Sequence, residues 1–322
     1  MTKLDLKAAL EIPAIVAPMF LVSSPAMTLA ACAEGVMGSF PAHATRTREV
    51  FEDWLKEVEA GLAALRANAN ANGRKIAPYA VNLVTHASNP RMAGDLELCI
   101  EYRVPVVLTS KSAPTAAVDR IHAYGGIVLH DIASLRHAEK ALEGGVDGLI
   151  VVTQGAGGHT GTVNPFDLMN EVRRIHDGLI VLSGCIATGR DVLAAEAMGA
   201  DFAYIGTPFI ATHESIASER HKQAIIASQA SDIFFSAAVD GAPANWITQS
   251  LLDCGADLDV LRTTLPGKII SADETKKRWK DILTAGQGVG AVTEIMGAGA
   301  LCQRLKREYA EARAQMLQRW RA

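Results

Sequence analysis

A (β/α)8 TIM barrel with a mostly helical covering segment inserted after its eighth strand is the fold class that this 322-residue sequence predicts. Three observations lead there. Eight short apolar runs follow one another over about 200 residues, a length that suits one barrel. The segments between them are amphipathic and long enough for helices. After Thr207 the rhythm stops. Unbroken apolar runs mark parallel strands buried on both faces, and eight strand–helix units suit a closed barrel better than an open doubly wound sheet.

Taken in order, the first run is IVAPM (15–19), which leads into a helix-like stretch from Pro25 to Glu34. GVMGSF (35–40) follows, then a long amphipathic segment from Arg46 to about Asn70. YAVNL (79–83) and PVVLT (105–109) are the third and fourth runs, and the short GIVLH (126–130) is the fifth. GLIVVT (148–153), LIVLS (179–183) and FAYIG (202–206) complete the eight. The stretch ANANANG (67–73) reads as a polar turn or a frayed helix end. His213 and Glu214 are expected to start the helix after the eighth strand, with helical patterns such as 215–228 beyond them and then polar, loop-rich sequence. Residues 295–320 read as a long amphipathic helix. The expected organisation is a barrel over 1–213, completed by 284–322, with 214–283 as a helical cover over one mouth.

Composition narrows the function classes. With 49% hydrophobic and 20% charged residues and a net charge of −4, the chain is an ordinary globular one without the basic surface that nucleic acid or an anionic membrane would require. Five widely spaced cysteines, an odd number without C-x-x-C spacing, argue against a disulfide framework or a zinc site and favour a reducing compartment. The apolar stretch 12–27 is interrupted by Pro13, Pro18 and Pro25, so it reads as neither signal peptide nor membrane span, and the cytoplasm is the expected location. No H-x3-H or H-E-x-x-H spacing points to a metal site.

In a barrel the chemistry lies where strand C-termini feed the following loops. SGCIATG (183–189) after the seventh run and GTP (206–208) after the eighth are small-residue turns that lead into helices. Exposed backbone N–H groups and helix dipoles there would hold a phosphate. No G-x-G-x-x-G follows the first run, so a mononucleotide phosphate suits the chain better than a dinucleotide. The sixth run ends in TQGAGGHTG (153–161), which places the imidazole of His159 among four glycines at the same rim. A ring that titrates near neutrality suits proton transfer or the binding of an anion, against the plainer reading of a loop-capping histidine. His43, His86 and His130 follow or end other strands and could line the substrate side. Trp246 reads equally as core of the cover or as a pocket wall. Cys185 reads as a packing residue, and Asp131 and Asp147 as residues that end or begin elements.

APM at the end of the first run, VNL in the third, GAGGHTG, SGCIATG, IGTPF and the segment WKDILTAGQGVG (279–290) together resemble the nitronate monooxygenase family, formerly called 2-nitropropane dioxygenases. The resemblance spans 15–290. It implies an FMN-dependent barrel that oxidises alkyl nitronates with O2 to carbonyl compounds and nitrite. Pro18 and Met19 would lie along the flavin ring and Asn82 at its polar edge. Lys111 would support the ring or the ribityl chain, and Gly157 and Gly158 would allow close backbone approach. Ser183, Gly184, Gly206 and Thr207 would hold the phosphate, Gln287 would contact the ring, and His159 would act as base or anion-binding group. The same scaffold also accommodates an NAD(P)H:quinone reductase or a flavin-dependent enoyl-acyl-carrier-protein reductase. A non-catalytic flavin- or phosphate-binding protein and a flavin-free sugar-phosphate barrel are the remaining alternatives. Partners implied are a small-molecule substrate and O2, with NAD(P)H for the reductases, and the oligomeric state, a homo-oligomer included, is left open. Two departures bear on the substrate. Phe20, Leu21, Val22 and Ser23 stand where family members carry glycines, and Gln154 and Gly155 stand near the position of a frequent glutamate.

Overall fold

A computed structural model describes residues 3–69, 74–86, 88–264 and 279–321. Eleven strands run, in chain order, β1 (Ala14–Val16), β2 (Ser39–Pro41), β3 (Ala80–Val84), β4 (Val106–Ser110), β5 (Ile127–Ile132), β6 (Gly148–Val152), β7 (Gly158–His159), β8 (Leu179–Ser183), β9 (Phe202–Ile205), β10 (Ile233–Ser236) and β11 (Ala244–Ile247). The helices are α1 (Lys3–Ala8), α2 (Pro25–Ala33), α3 (Arg48–Ala69), α4 (Met92–Glu101), α5 (Thr115–His122), α6 (Leu135–Glu143) and α7 (Pro165–Ile175). They continue with α8 (Gly189–Ala197), α9 (Thr207–Ile210), α10 (Glu219–Ala227), α11 (Thr248–Asp253), α12 (Leu258–Thr263) and α13 (Ala298–Arg321).

Eight parallel strands form one sheet in the order β1-β9-β8-β6-β5-β4-β3-β2. The sheet closes where Val16 donates to Met37 O at 2.8 Å and Met37 donates to Ala14 O at 3.2 Å, with Ile15 facing Met37. The molecule is therefore the TIM barrel that the apolar runs predict. Its core is continuous through Ile15, Phe40, Val107, Leu129, Ile150, Val181 and Phe202, all fully buried. Parallel strands are covered on both faces, which is why alternation is absent from their sequences.

Register decides which side chains enter the lumen, because residues paired across a parallel ladder point the same way. The pairs Asn82↔Leu108, Val84↔Ser110, Leu108↔Leu129, Asp131↔Ile150, Val152↔Ser183 and Ser183↔Tyr204 put Asn82, Ser110, Asp131, Ser183 and Tyr204 on one face. Burial and then the Asp131 carboxylate raise the pKa of Tyr204 although two strands separate β5 from β9, so that face is the lumen. The fifth strand is longer than the sequence suggested and continues to Ile132. Asp131 accordingly lies within it instead of ending it.

The segment between β9 and α13 contains α10, α11 and α12, and also an antiparallel hairpin, β10–β11, that the sequence reading did not anticipate. Trp246 is the centre of its core. Fully buried, it packs with Phe234, Leu251, Leu261 and Ile282, and its indole N–H donates to Ser236 O at 3.2 Å. The hairpin's second strand, β11, is central and also pairs with β7, so that cover and barrel loop share a three-stranded sheet.

His213 and Glu214 do not start the helix after the last barrel strand. That helix is α9, and α10 begins beyond Ser218, whose Oγ accepts from His221 N at 3.2 Å. His213 N donates instead to Met296 O at 2.9 Å. The Glu214 carboxylate accepts from Ala298 N at 2.8 Å, and its carbonyl accepts from Ser24 Oγ at 2.6 Å. An acidic acceptor at the first residue of α13 satisfies an otherwise orphaned N–H and complements the helix dipole. The 24-residue helix α13 then packs along α2 and α8, with Lys306 paired to Glu34 at 2.7 Å and Glu308 accepting from Gly189 N at 2.8 Å. The stretch 67–73 ends as helix at Ala69, and 70–73 lie outside the described residues. No helix among the described residues is long and apolar enough to cross a membrane. Glu214→Ala should cost about 1 kcal/mol of stability, the usual worth of a helix cap, read as a lower urea midpoint at unchanged m-value.

Candidate active site

The C-terminal ends of the barrel strands converge on one mouth, and the glycine-rich stretch after β6 forms its most constrained edge. Gln287 N donates to Gly155 O at 2.9 Å, and Gly286 N donates to Thr207 Oγ1 at 2.8 Å. A side chain on Gly157 would place Cβ only 2.8 Å from Gly286 N, so the two segments can touch only as glycines. Gly184 has φ +134°, and a Cβ there would fall on Thr153 Oγ1. Cys185, next in the turn, is also left-handed at φ +58° and lies 3.9 Å from Gln287 Oε1. Burial, followed by the Asp191 carboxylate, raises its thiol pKa, which makes it a poor nucleophile and fits the packing role. The structure thus brings together Gly157, Ser183, Gly184, Gly206, Thr207 and Gln287. The amides of Gly184, Cys185 and Gly206 donate to no acceptor among the described residues.

Across the mouth, the loop after β1 closes on itself. Met19 N donates to Ser23 Oγ at 2.9 Å, Ser23 N donates to Met19 O at 3.0 Å, and Leu21 takes φ +58°. Met19 Sδ borders Gly206, 3.3 Å from where a Cβ would stand. Phe20 lies flat on the His43 ring, with centroids 5.4 Å apart and planes inclined by 19°. His43 keeps one edge open to solvent. Burial, then the charges of Arg91 and Lys111, push its pKa down to about 4, so it is neutral near pH 7.

Lys111, held at φ +80° just past β4, is the charge around which the other groups gather. Its Nζ lies 3.5 Å from His159 Nδ1. His159 Nε2 lies 2.9 Å from Asp240 Oδ2, on the turn between β10 and β11, and Trp279 packs edge-on against the imidazole at 4.9 Å. Gly158, at φ +67°, faces that same indole. Below them in the lumen, Asp131 has a buried Oδ1 without a hydrogen-bond partner among the described residues. Burial pushes its carboxyl up to about 7, against the pull of Lys111. Asn82 shares that face and spends its amide donor on Leu108 O at 3.2 Å.

Three residues considered for the substrate side are placed elsewhere. His130 shares the outward face with Thr109, whose Oγ1 is 2.8 Å from its Nδ1, and its pKa falls to about 4 through burial and then His137 of α6. It looks toward the helical layer and away from the mouth, because neighbouring residues of a strand face opposite ways. Trp246 stands behind Trp279, with ring centroids 5.0 Å apart, and has no surface of its own. His86 turns to Ser88 Oγ at 2.7 Å on the exterior. Residues that sequence reasoning missed are Asp131, one position beyond the histidine it chose, and Asp240, an acid in a turn. Among the described residues no group of His, Cys, Asp and Glu is arranged to hold a metal ion.

With this geometry in hand, comparison with known proteins is informative. Residues 3–308 match the family model described as nitronate monooxygenase. A nitronate monooxygenase of Paraburkholderia phytofirmans is 26% identical over 277 residues, covering 76% of each chain. A (3aS,4S,5R,7aS)-5-hydroxy-7a-methyl-1-oxo-octahydro-1H-indene-4-carboxyl-CoA dehydrogenase of Rhodococcus jostii is 30% identical over 176 residues. That match covers 55% of this chain and only about half, 49%, of the relative. The solved nitroalkane oxidase of Streptomyces ansochromogenes superposes with a TM-score of 0.77 at 25% identity, covering 97% of this chain and 99% of the other.

The Asp131 carboxyl has a pH signature. Its folded pKa, about 7, lies above the unfolded value, so its proton favours the folded state. That advantage is complete below about pH 4 and is lost as pH rises through 7, at most roughly 4 kcal/mol for a shift of this size. Asp131→Asn should therefore raise the Tm of the cofactor-free protein at pH 8 relative to wild type and flatten its decline between pH 5 and 8, read by differential scanning fluorimetry.

Proposed function

We propose that this chain, which belongs to the nitronate monooxygenase family, is an FMN-dependent oxidoreductase that converts alkyl nitronates and O2 to carbonyl compounds and nitrite. The observation that carries this reading is the placement of His159 and Lys111 against each other at the barrel mouth, beside a turn pair with free amides. An ammonium next to an imidazole suits a small anion whose charge is spread over nitro oxygens.

The residues present fit a flavin mononucleotide. Gly184, Cys185, Gly206 and Thr207 would take the phosphate, since backbone N–H groups before α8 and α9 await an acceptor. Pro18 and Met19 would border the ring, Asn82 would supply polar contact, Gly157 and Gly158 would admit it, and Gln287 would reach it from the closing segment. When bound, the flavin supplies the capacity to accept and pass on single electrons, which no side chain of this mouth offers. The protein's own contribution is binding and proton control. Lys111 draws a nitro oxygen toward His159, which removes the proton alpha to a neutral nitroalkane or steadies the anion already formed. In the overall change two nitronates share one O2: in each the C=N bond breaks, carbon gains one of the two oxygen atoms, and nitrogen departs as nitrite. Phe20 over His43 on one side and Trp279 on the other narrow access for water and shape the space left to the alkyl chain.

Purified protein should be yellow, release FMN on heating, and consume oxygen while forming nitrite from an alkyl nitronate. His159→Ala should retain flavin and lose about 10²- to 10⁴-fold in kcat/KM, the range that general acid–base catalysis supplies. Anaerobic bleaching by NADH without nitronate-dependent oxygen uptake would assign the scaffold to a reductase instead.

A further inference from the structure

Among the described residues the imidazole of His159 has two polar neighbours of opposite character, and together they dictate where its proton resides. A carboxylate can only accept, so the 2.9 Å contact with Asp240 Oδ2 requires a proton on Nε2. An ammonium can only donate, so the 3.5 Å approach of Lys111 Nζ requires a lone pair on Nδ1. Both conditions are met by a single species, the neutral Nε2–H tautomer. We propose that Asp240 is a positioning residue for His159: its carboxylate holds the imidazole in that tautomer and orientation, leaving Nδ1, beside the Lys111 ammonium, as the nitrogen that exchanges a proton with substrate.

Several features make the pairing part of the fold. Asp240 lies in the turn that joins β10 to β11, closed by Gly241 N donating to Ala237 O at 2.9 Å. Four residues later the same chain pairs Ala244 with His159 and Asn245 with Gly158. Thr160 N donates to Pro243 O at 3.0 Å, and Asn245 Nδ2 donates to Ala156 O at 2.8 Å. The backbone of the histidine and the backbone that carries the acid are thus sides of one small sheet, and Trp279 supports the ring. Among the described residues, the charged groups facing the imidazole come from two elements, Lys111 beyond β4 and Asp240 on the hairpin. A nitro or nitronate oxygen that engages the Lys111 ammonium would draw it off Nδ1 and open that lone pair toward the same ligand. Substrate binding and release of the base would then be one event.

This inference rests on reading His159 as the group that handles the proton, and its test separates the two ideas. ¹⁵N NMR of histidine-labelled, flavin-loaded protein, with His159→Gln for assignment, should show a pyrrole-type Nε2 and a pyridine-type Nδ1 at His159. Asp240→Asn, nearly isosteric and still an acceptor, should keep this signature and stay within about threefold of wild-type kcat/KM. Asp240→Ala should mix the tautomers and lose about tenfold to a hundredfold, no more than general acid–base catalysis supplies, with unchanged flavin content. A wild-type Nδ1–H signature, or an unaltered one in Asp240→Ala, would overturn the proposal. So would a loss in Asp240→Asn as deep as in Asp240→Ala with the tautomer kept, because charge and not orientation would then be at work. If Asp240→Ala mixes the tautomers while His159→Ala still turns over nitronate, the pairing stands and the catalytic reading of His159 falls.

Discussion

The antiparallel pairing of Gly158 and His159 with Asn245 and Ala244 is the constraint on which the geometry of the mouth depends. A stretch with four glycines in nine residues would, left alone, have a large conformational entropy to lose and no reason to aim an imidazole. Here it is held from both sides. The hairpin of the cover fixes 156–160 through strand pairing and the Asn245 amide, and 286–287 fix 155–157 through backbone contact. The glycines therefore serve close packing and an unusual backbone path more than mobility. Cover and barrel act as one site, because the residue between them belongs to a sheet that both contribute to.

Electrostatics at the mouth follow from one ammonium serving several neighbours. Lys111 adds to burial and Arg91 in lowering the pKa of His43, offsets part of the burial that raises Asp131, and lies against His159. Near neutral pH, His43 is therefore uncharged and Asp131 is poised between its two forms. A group with an orphaned oxygen under the mouth and a pKa near 7 responds to any ligand that alters solvation above it. The proposed binding of an anion from above fits this arrangement, because the Lys111 ammonium faces the mouth and a carboxyl poised near its pKa beneath it does not fully neutralise it.

The barrel was legible in the sequence for the same reason that part of the site was not. Strands buried on both faces print as apolar runs, which reveals eight strands and their order. Such runs carry no alternation, and so they do not say which residue faces the lumen. In LHD (129–131) the sequence gives no phase, and the histidine attracted attention as the more familiar catalytic residue, whereas the register turns it outward and Asp131 inward. The hairpin was hidden differently. IFFS (233–236) and ANWI (244–247) are four-residue strands whose value is realised only by pairing with each other and, for the second, with Gly158 and His159 far upstream. Asp240, in the turn between them, reads locally as an ordinary turn former. By contrast the turns at 183–189 and 206–208 stood out because close backbone approach leaves a compositional trace, namely small residues at strand ends, whereas Gly157 and Gln287 entered only through the family resemblance.

Backbone strain supplies an independent argument for where function resides. Five non-glycine residues among those described have positive φ: Leu21, Arg103, Lys111, Cys185 and Trp279. Four of them stand at this mouth, in the loops after β1, β4 and β8 and in the closing segment. Each costs free energy, of order 1 kcal/mol, and glycine would remove the cost. Leu21 is telling, since it stands in a loop where the family resemblance leads one to expect glycine. Its loop keeps a tight path, closed by Ser23 Oγ on Met19 N, while gaining the Phe20 ring that covers His43. Stability alone would have selected glycine at these places. Side chains persist there in a conformation that the surrounding contacts must enforce, and in the proposed reading they set the walls of the mouth and hence the room left for substrate.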